Sequence, residues 1–478
     1  MNPIISPFSL GKDISYDVLS WNLHGTEPMS RPQSEAQAGA LTWDPFHATG
    51  RLQITHNPPF VGARWMSKSQ KADVIAVFGA EWKGVGDLDY VCCWYKKSEE
   101  MMKGTQVRAA LVSTNSISQG GAVANLWGPL FADGIHIDFA YRTFRWDSEA
   151  NIKAHVHCII IGFSVFPNNK PRVIYNSDKP QIVENINGYL IDSANVFIES
   201  RNKPICDVPE ISMGNQPIDN GYYLFEEDEM SEFIKIEPAS TSFFHPWYGA
   251  REFINRKPRY CLWLGNCSPS DLRKMPECMK RVQAVRDYRL SSTRTSTLKL
   301  ADKPTHFQTE NMPKGNYIVI PEVSSQLRKY VPIGYMDGSV LCSNKVRLMP
   351  DATLYHFGIL TSNVHMAWMR TVCGRLKSDY DYSIKIVYNN FPWPEPTGEQ
   401  KAKIEQTAQA ILDARALYPD ASLADLYDES VMPPELRKAH QQNDKAVMQA
   451  YGFWGRINTE PEVVAELMKM YQELTKEE

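Results

Sequence analysis

Leu52-Gln53-Ile54-Thr55-His56-Asn57-Pro58-Pro59-Phe60 is the stretch on which the reading of this chain turns. Residues 52–56 alternate apolar and polar side chains and read as a short strand. The strand runs into an amide, two prolines and an aromatic ring. Few chemistries call for that order, and methylation of an exocyclic amino group on a base is one that does. The amino nitrogen of adenine is a poor nucleophile because its lone pair is delocalised into the ring. Two acceptors gripping both amino hydrogens favour a more tetrahedral nitrogen and free the pair. The Asn57 side-chain oxygen can be one acceptor and the Pro58 carbonyl the other. Proline fixes φ and so holds that carbonyl in place, and Phe60 can stack on a base taken out of the duplex. Taken alone, the four residues also read as a proline-rich turn after an edge strand.

Downstream of this stretch, residues 51–165 alternate helix and strand. Asp87 to Tyr95 predicts the opening of a helix, with Asp87 or Asp89 as its cap. Val107 to Val112 reads as a buried strand ending in the polar run Ser113-Thr114-Asn115-Ser116. A helix is expected from Val123 to Phe131, a strand from Ile135 to Ala140, and another over His155 to Phe163. Strands this apolar need cover on both faces, which makes the region α/β. Residues 166–395 are irregular, with short strands at Arg172 to Tyr175 and Tyr317 to Ile320 and helices near 269–290 and 359–377. Phe391-Pro392-Trp393-Pro394-Glu395-Pro396 closes that region, because three prolines suit neither a helix nor a central strand. Amphipathic helices follow at Lys401 to Ala416 and near 433–451 and 459–475. Residues 1–50 carry no strand–glycine loop–helix unit and read as a degenerate N-terminal segment.

Composition narrows the classes. No apolar run reaches the roughly 18 residues of a membrane span, and the N-terminus lacks the form of a signal peptide. The nine cysteines are scattered, with no C-x-x-C pair, and read as reduced, mostly buried thiols in a cytoplasm. His155 and His157 share one face of a strand but have no third ligand in sequence reach, so no metal is expected. The net charge of −4 conceals a basic stretch over residues 251–299, where twelve Lys and Arg face four acids. Such a patch suits a locally polyanionic partner such as double-stranded DNA, or else a solvated helix face. Arg273, Lys274, Lys280, Arg281, Arg286 and Arg289 are candidate phosphate contacts. Residues 291–299, with Arg294, and 326–329, with Arg328 and Lys329, are candidates for lying near bases.

Several separate stretches together resemble the methyltransferase and specificity regions of MmeI-type (type IIL) restriction-modification enzymes. They include Asn57-Pro58-Pro59-Phe60-Val61-Gly62, Asp89-Tyr90-Val91 with Trp94-Tyr95, and Leu111-Val112-Ser113-Thr114-Asn115-Ser116-Ile117 with Gln119-Gly120. Ala140-Tyr141-Arg142-Thr143-Phe144-Arg145-Trp146 and Val156-His157-Cys158-Ile159-Ile160-Ile161-Gly162-Phe163 follow. Further on stand Tyr317-Ile318-Val319-Ile320-Pro321, Leu354-Tyr355-His356-Phe357-Gly358, Arg370-Thr371-Val372-Cys373-Gly374-Arg375 and Tyr388-Asn389-Asn390-Phe391-Pro392-Trp393-Pro394. The resemblance implies a class I (Rossmann-like) adenine-N6 DNA methyltransferase sheet over 51–165. It implies an α+β target-recognition domain over 166–395 and a C-terminal helical domain over 396–478. It makes Asn57, Pro58, Pro59 and Phe60 the catalytic motif, with Phe144 or Trp146 as a second ring on the extruded base, and S-adenosylmethionine as the cofactor.

One departure accompanies the match. In such enzymes a glycine-rich loop and an acid that hold the cofactor lie upstream of the catalytic motif, and the residues before Asn57 contain neither signature. Gly84-Val85-Gly86 and Gly120-Gly121 come too late in the chain. The cofactor-binding residues are therefore unassigned. The expectation is a partial methyltransferase sheet, as a fragment of a longer enzyme or of a split one whose cofactor half and nuclease come from an upstream polypeptide, or as a degenerate protein, with little or no activity in the isolated chain. The alternative is a DNA-binding protein that has lost the chemistry.

Overall fold

The computed structural model describes residues 53–56, 58–147, 155–166, 171–176 and 179–476. The segment read as a degenerate N-terminus lies outside them. The chain divides into two compact units, residues 1–199 and 200–478.

In the first unit a six-stranded sheet forms around the two most apolar runs. Its strands are β1 (Gln53–His56), β2 (Arg108–Thr114), β3 (His136–Asp147), β4 (His155–Ser164), β5 (Arg172–Asn176) and β6 (Lys179–Val183). Their order is β1-β2-β4-β3-β5-β6. β1 runs parallel to β2, β4 antiparallel to both β2 and β3, and β5 parallel to β3. Alternate residues of β2 (Ala109, Leu111, Ser113) are buried, whereas in β4 burial is nearly continuous. The cover comes from the helix Cys92–Met102 and from three successive helical turns, Gly120–Ala122, Val123–Trp127 and Gly128–Ala132. Tyr95 lies fully inside, stacked on Phe163 at 5.2 Å and edge-on to Trp127 at 5.3 Å, with its hydroxyl 2.7 Å from Ser113 Oγ. Each large side chain buried this way contributes about 1.5–3 kcal/mol. Gly162 is needed in β4 because Phe139 lies flat across it: a Cβ there would sit 2.0 Å from the ring.

Neither expected acid caps Cys92–Met102. That helix starts after Val91, which offers no capping oxygen, and Asp87 ends a separate turn, Val85–Asp87. The strand expected at Ile135 to Ala140 continues to Asp147 through a bulge between Tyr141 and Phe144.

The second unit is α+β and ends in helices. Its fully buried strand Tyr317–Pro321 pairs with Gly334–Met336 and Val346–Pro350. A second sheet contains Phe244–Tyr248 and Arg259–Leu262, and a third, of three strands, contains Val323–Ser324, Asp379–Asp381 and Gly374–Leu376. The helices Gly398–Ala416, Pro434–Ala450 and Glu460–Thr475 close the unit. Asn443 joins them to the rest by donating to the Gly358 carbonyl at 2.7 Å and accepting from Thr407 Oγ1 at 3.0 Å.

Candidate active site

Parallel strands present their carboxyl ends at one edge of a sheet, and ligands of α/β folds bind there. β1 and β2 end at the same edge. Because β3 and β4 form an antiparallel pair, the carboxyl end of β3 falls there too: Thr114 lies across from Cys158, and Cys158 across from Phe144. The topology therefore brings together the stretch after β1, the turn Asn115–Ser118 after β2, and the end of β3 that carries Phe144 and Trp146. Asn57 lies outside the described residues. So does the side chain of Trp146, whose backbone pairs with Val156.

Pro58 is buried, Pro59 exposed and Phe60 half-buried. Asp89 fixes the loop that follows. Its Oδ1 accepts from the Ala63 amide at 2.8 Å and its Oδ2 from Ser116 Oγ at 2.5 Å, so one carboxylate ties the β1 loop to the β2 turn. Beside it, the Tyr90 amide donates to the Val61 carbonyl at 2.9 Å, and the Tyr90 hydroxyl donates to Asp73 at 2.8 Å. Ser116 Oγ also lies 2.8 Å from Thr114 Oγ1. Asp89 thus organises the site rather than the helix it precedes in sequence. Phe144 is half-buried, and Trp65, five residues past Phe60, is 86% exposed. Burial pushes the Cys158 thiol up to about 11 and that of Cys93 up to about 12, with Asp73 adding to the latter, so both stay protonated at neutral pH. No group of His, Cys, Asp and Glu able to hold a metal occurs among the described residues.

The basic residues of the second unit separate by environment. Arg273, Arg286 and Arg294 are exposed. Lys274 is paired with Asp271 at 2.9 Å and Lys280 with Glu277 at 2.7 Å, both on the surface. Arg281 lies over the Phe225 ring at 4.3 Å and donates to the Tyr222 carbonyl at 2.9 Å. Arg289 corrects the expectation of a phosphate contact. It is 0% exposed, and its guanidinium donates to five carbonyls, those of Pro217, Ile218, Leu300, Lys303 and His306, at 2.8 to 3.0 Å. It fastens two loops together inside the fold. Arg328 is half-buried and Lys329 exposed, on a turn after Val323–Ser324.

Models of three families match the chain: the MmeI DNA-methyltransferase domain over residues 21–176, the MmeI target recognition domain over 192–395, and the MmeI C-terminal domain over 397–477. DNA methyltransferase A of Bacillus subtilis (strain 168) is 36% identical over 431 residues, 90% of this chain and 49% of that protein. The solved structure of the type IIL restriction-modification enzyme MmeI in complex with DNA superposes with a TM-score of 0.83 at 43% identity, over 88% of this chain and 57% of that one. The chain spans about half the length of these relatives.

Proposed function

The chain belongs to the MmeI family of DNA methyltransferases with a target-recognition domain, and from that premise we propose that it acts on the N6 amino group of adenine within a specific duplex sequence. The observation that carries the reading is the Pro58-Pro59-Phe60 loop at the carboxyl end of β1, held by Asp89 to the turn after β2. In this reading the target adenine leaves the helix and stacks on Phe60, with Phe144 or Trp146 as a second ring. The Pro58 carbonyl and the Asn57 carboxamide take its two amino hydrogens. That grip frees the nitrogen lone pair before attack, and the bonds that hold Val61 and Ala63 lower the reorganisation it requires. Cysteine chemistry fits less well. Methylation at cytosine C5 needs a thiolate to add to the ring, and the Cys158 thiol at this edge is held protonated by burial.

S-adenosylmethionine supplies an electrophilic methyl carbon on sulfur. Among the described residues the acids beside this loop already accept from protein donors, Asp89 from Ala63 and Ser116 and Asp73 from Tyr90, and none of them is assigned to the ribose hydroxyls. No step is therefore derived through the cofactor. In the second unit, Arg273, Lys274, Lys280, Arg286, Arg294, Arg328 and Lys329 face the DNA in this reading, with Arg281 and Arg289 supporting them from within. All nine cysteines are unpaired and seven of them are buried, which suits a reducing cytoplasm. No helix among the described residues is long and apolar enough to cross a membrane.

Base extrusion tests this reading without the cofactor. Duplexes recovered by the chain from a randomised pool are remade with 2-aminopurine in place of each adenine in turn. One position brightens on binding, and Phe60→Ala quenches the gain while binding persists. Brightening at no adenine overturns the proposal.

A further inference from the structure

Past the strand Val323–Ser324 the chain turns outward and then plunges. Gln326 and Lys329 are exposed and Leu327 is 78% exposed, yet Tyr330 is 2% exposed. The descent is held by the C-terminal helices. The Tyr330 hydroxyl donates to Asp444 Oδ2 at 2.6 Å, and its ring stacks on His440 at 4.1 Å; both partners lie on the helix Pro434–Ala450. The Lys329 carbonyl accepts from Arg370 at 3.0 Å. Arg370 in turn makes a two-pronged pair, at 2.8 Å each, with Glu460 at the start of the last helix. On the other flank the Gln326 amide approaches Asp379 Oδ1 at 3.4 Å.

We propose that these helices are a brace that fixes the 326–329 turn for reading DNA, with Tyr330 and Asp444 as its central positioning residues. The inference rests on the reading, given above, that Arg328 and Lys329 face the duplex. The chemistry of the brace argues for positioning rather than filling. A Phe–Leu pair would occupy the same space without the cost of burying a carboxylate. A hydroxyl donating to Asp444 Oδ2, with the Asn363 amide on Oδ1 at 2.8 Å, admits one register only. A side chain that reads a base edge needs that degree of placement, since a bidentate contact fails on small displacements. The turn makes few bonds of its own: the Arg328 amide to the Ser325 carbonyl at 3.1 Å, and the Leu327 amide to Ser325 Oγ at 3.3 Å. Its geometry is therefore set by what holds its ends.

The test compares the full chain with Tyr330→Phe, Asp444→Asn and Arg328→Ala. Tyr388→Phe serves as a control that also loses a buried hydroxyl bond, to the Pro209 carbonyl at 2.5 Å, away from the turn. Each protein selects from a pool of duplexes with a randomised core, and its discrimination against single-base changes in the recovered sequence is measured. Tyr330→Phe and Asp444→Asn should lose discrimination at the position or positions lost by Arg328→Ala. There it should fall from the roughly 5- to 150-fold of one mismatched pair to under about threefold. Affinity for non-specific duplex should hold, and Tyr388→Phe should keep the wild-type preference at similar stability. If Arg328→Ala changes the preference and the two brace variants do not, the brace is wrong and the recognition reading stands. If Arg328→Ala leaves the preference intact, or the wild type selects no sequence, the recognition reading fails and takes the brace with it.

Discussion

Asp89→Ala is the most informative single change in the first unit. The carboxylate is the shared acceptor of the Ala63 amide at 2.8 Å and Ser116 Oγ at 2.5 Å. Hydrogen bonds to a charged group contribute about 1.5–3 kcal/mol each. Loss of the Ala63 bond should therefore speed hydrogen exchange of that amide by about 10- to 150-fold. The loop carrying Phe60 would then be tethered mainly through the Val61 carbonyl and Tyr90, and a displacement of about 1 Å at a reacting group costs on the order of 100-fold in rate. Exchange mass spectrometry over residues 58–66 measures the first effect, and 2-aminopurine extrusion reports the second without any need for turnover. Asp89→Asn keeps an oxygen for Ala63 but loses the charge, and should fall between wild type and Asp89→Ala. Asp87→Ala removes an exposed acid of the same charge two residues away and should change neither readout. Asp89 is not the tether if Ala63 exchanges at the wild-type rate in Asp89→Ala, or if Asp87→Ala reproduces the effect.

Other sites give independent checks. Arg289→Ala strands five carbonyls in the interior and should lose roughly 3–5 kcal/mol in a urea melt. Arg286→Ala, on the exposed face of the same helix, should stay within about 0.5 kcal/mol while lowering the salt slope of DNA binding by about 0.9; a reversal of these two outcomes would show that the buried and exposed faces are misassigned. Burial pushes the His365 imidazole down to about 3, and it sits neutral between the Leu360 carbonyl and the Tyr382 hydroxyl. Its folded pKa lies below the unfolded value near 6.5, so its stabilisation is fully present above 6.5 and is lost as pH falls toward 3. Between pH 6 and 4, wild type should lose about 1.4 kcal/mol per pH unit more than His365→Phe, and parallel melts would contradict this. Gly162→Ala places a methyl 2.0 Å from the Phe139 ring and should cost about 1–3 kcal/mol in thermal melts; an unchanged Tm would mean the ring swings away freely.

Much of the fold is legible in the chain because apolar periodicity is local. Arg108–Thr114 and His155–Ser164 are apolar enough to demand a buried sheet, and Lys401 to Ala416 falls inside the observed helix Gly398–Ala416. The misreadings arise where a side chain serves a distant partner. Asp89 stands just before a helix, so proximity makes it a cap, but its partners are 26 and 27 residues away. β3 outruns its apolar stretch because a bulge lets Arg142 and Thr143 pass without breaking the pairing to β4. Arg172 to Tyr175 is recognisable as a strand; its parallel pairing with β3 is not a local property. The burial of Arg289 is written in its spacing. Cys278, Val282, Val285 and Arg289 recur at four, three and four residues and share the buried face of Pro276–Leu290. Counting charges over 251–299 hides that spacing, because a tally of cations ignores the face on which each one falls.

The β1 loop and the 326–329 turn solve one physical problem in the same way. Each exposes a few side chains that must be placed closely, and each is too short to order itself, since fixing a residue costs about 1–2 kcal/mol of backbone entropy. In both, a carboxylate removed from the tip offsets that cost in advance: Asp89 by gripping Ala63 and Ser116, Asp444 by gripping Tyr330 and Asn363. Anchors placed beside the tip leave Leu327, an exposed side chain on it, without a structural task. Leu327 has no packing to lose, so its replacement by Ala or Lys should shift stability by no more than about 0.5 kcal/mol. Tyr330, three residues later, cannot be exchanged on those terms. If the brace holds, the residues at the tip can vary, and with them the sequence preferred, while the residues that hold the tip cannot. A variant in which Leu327 substitution unfolds the turn, or Tyr330 substitution is silent in both stability and sequence preference, would break that division.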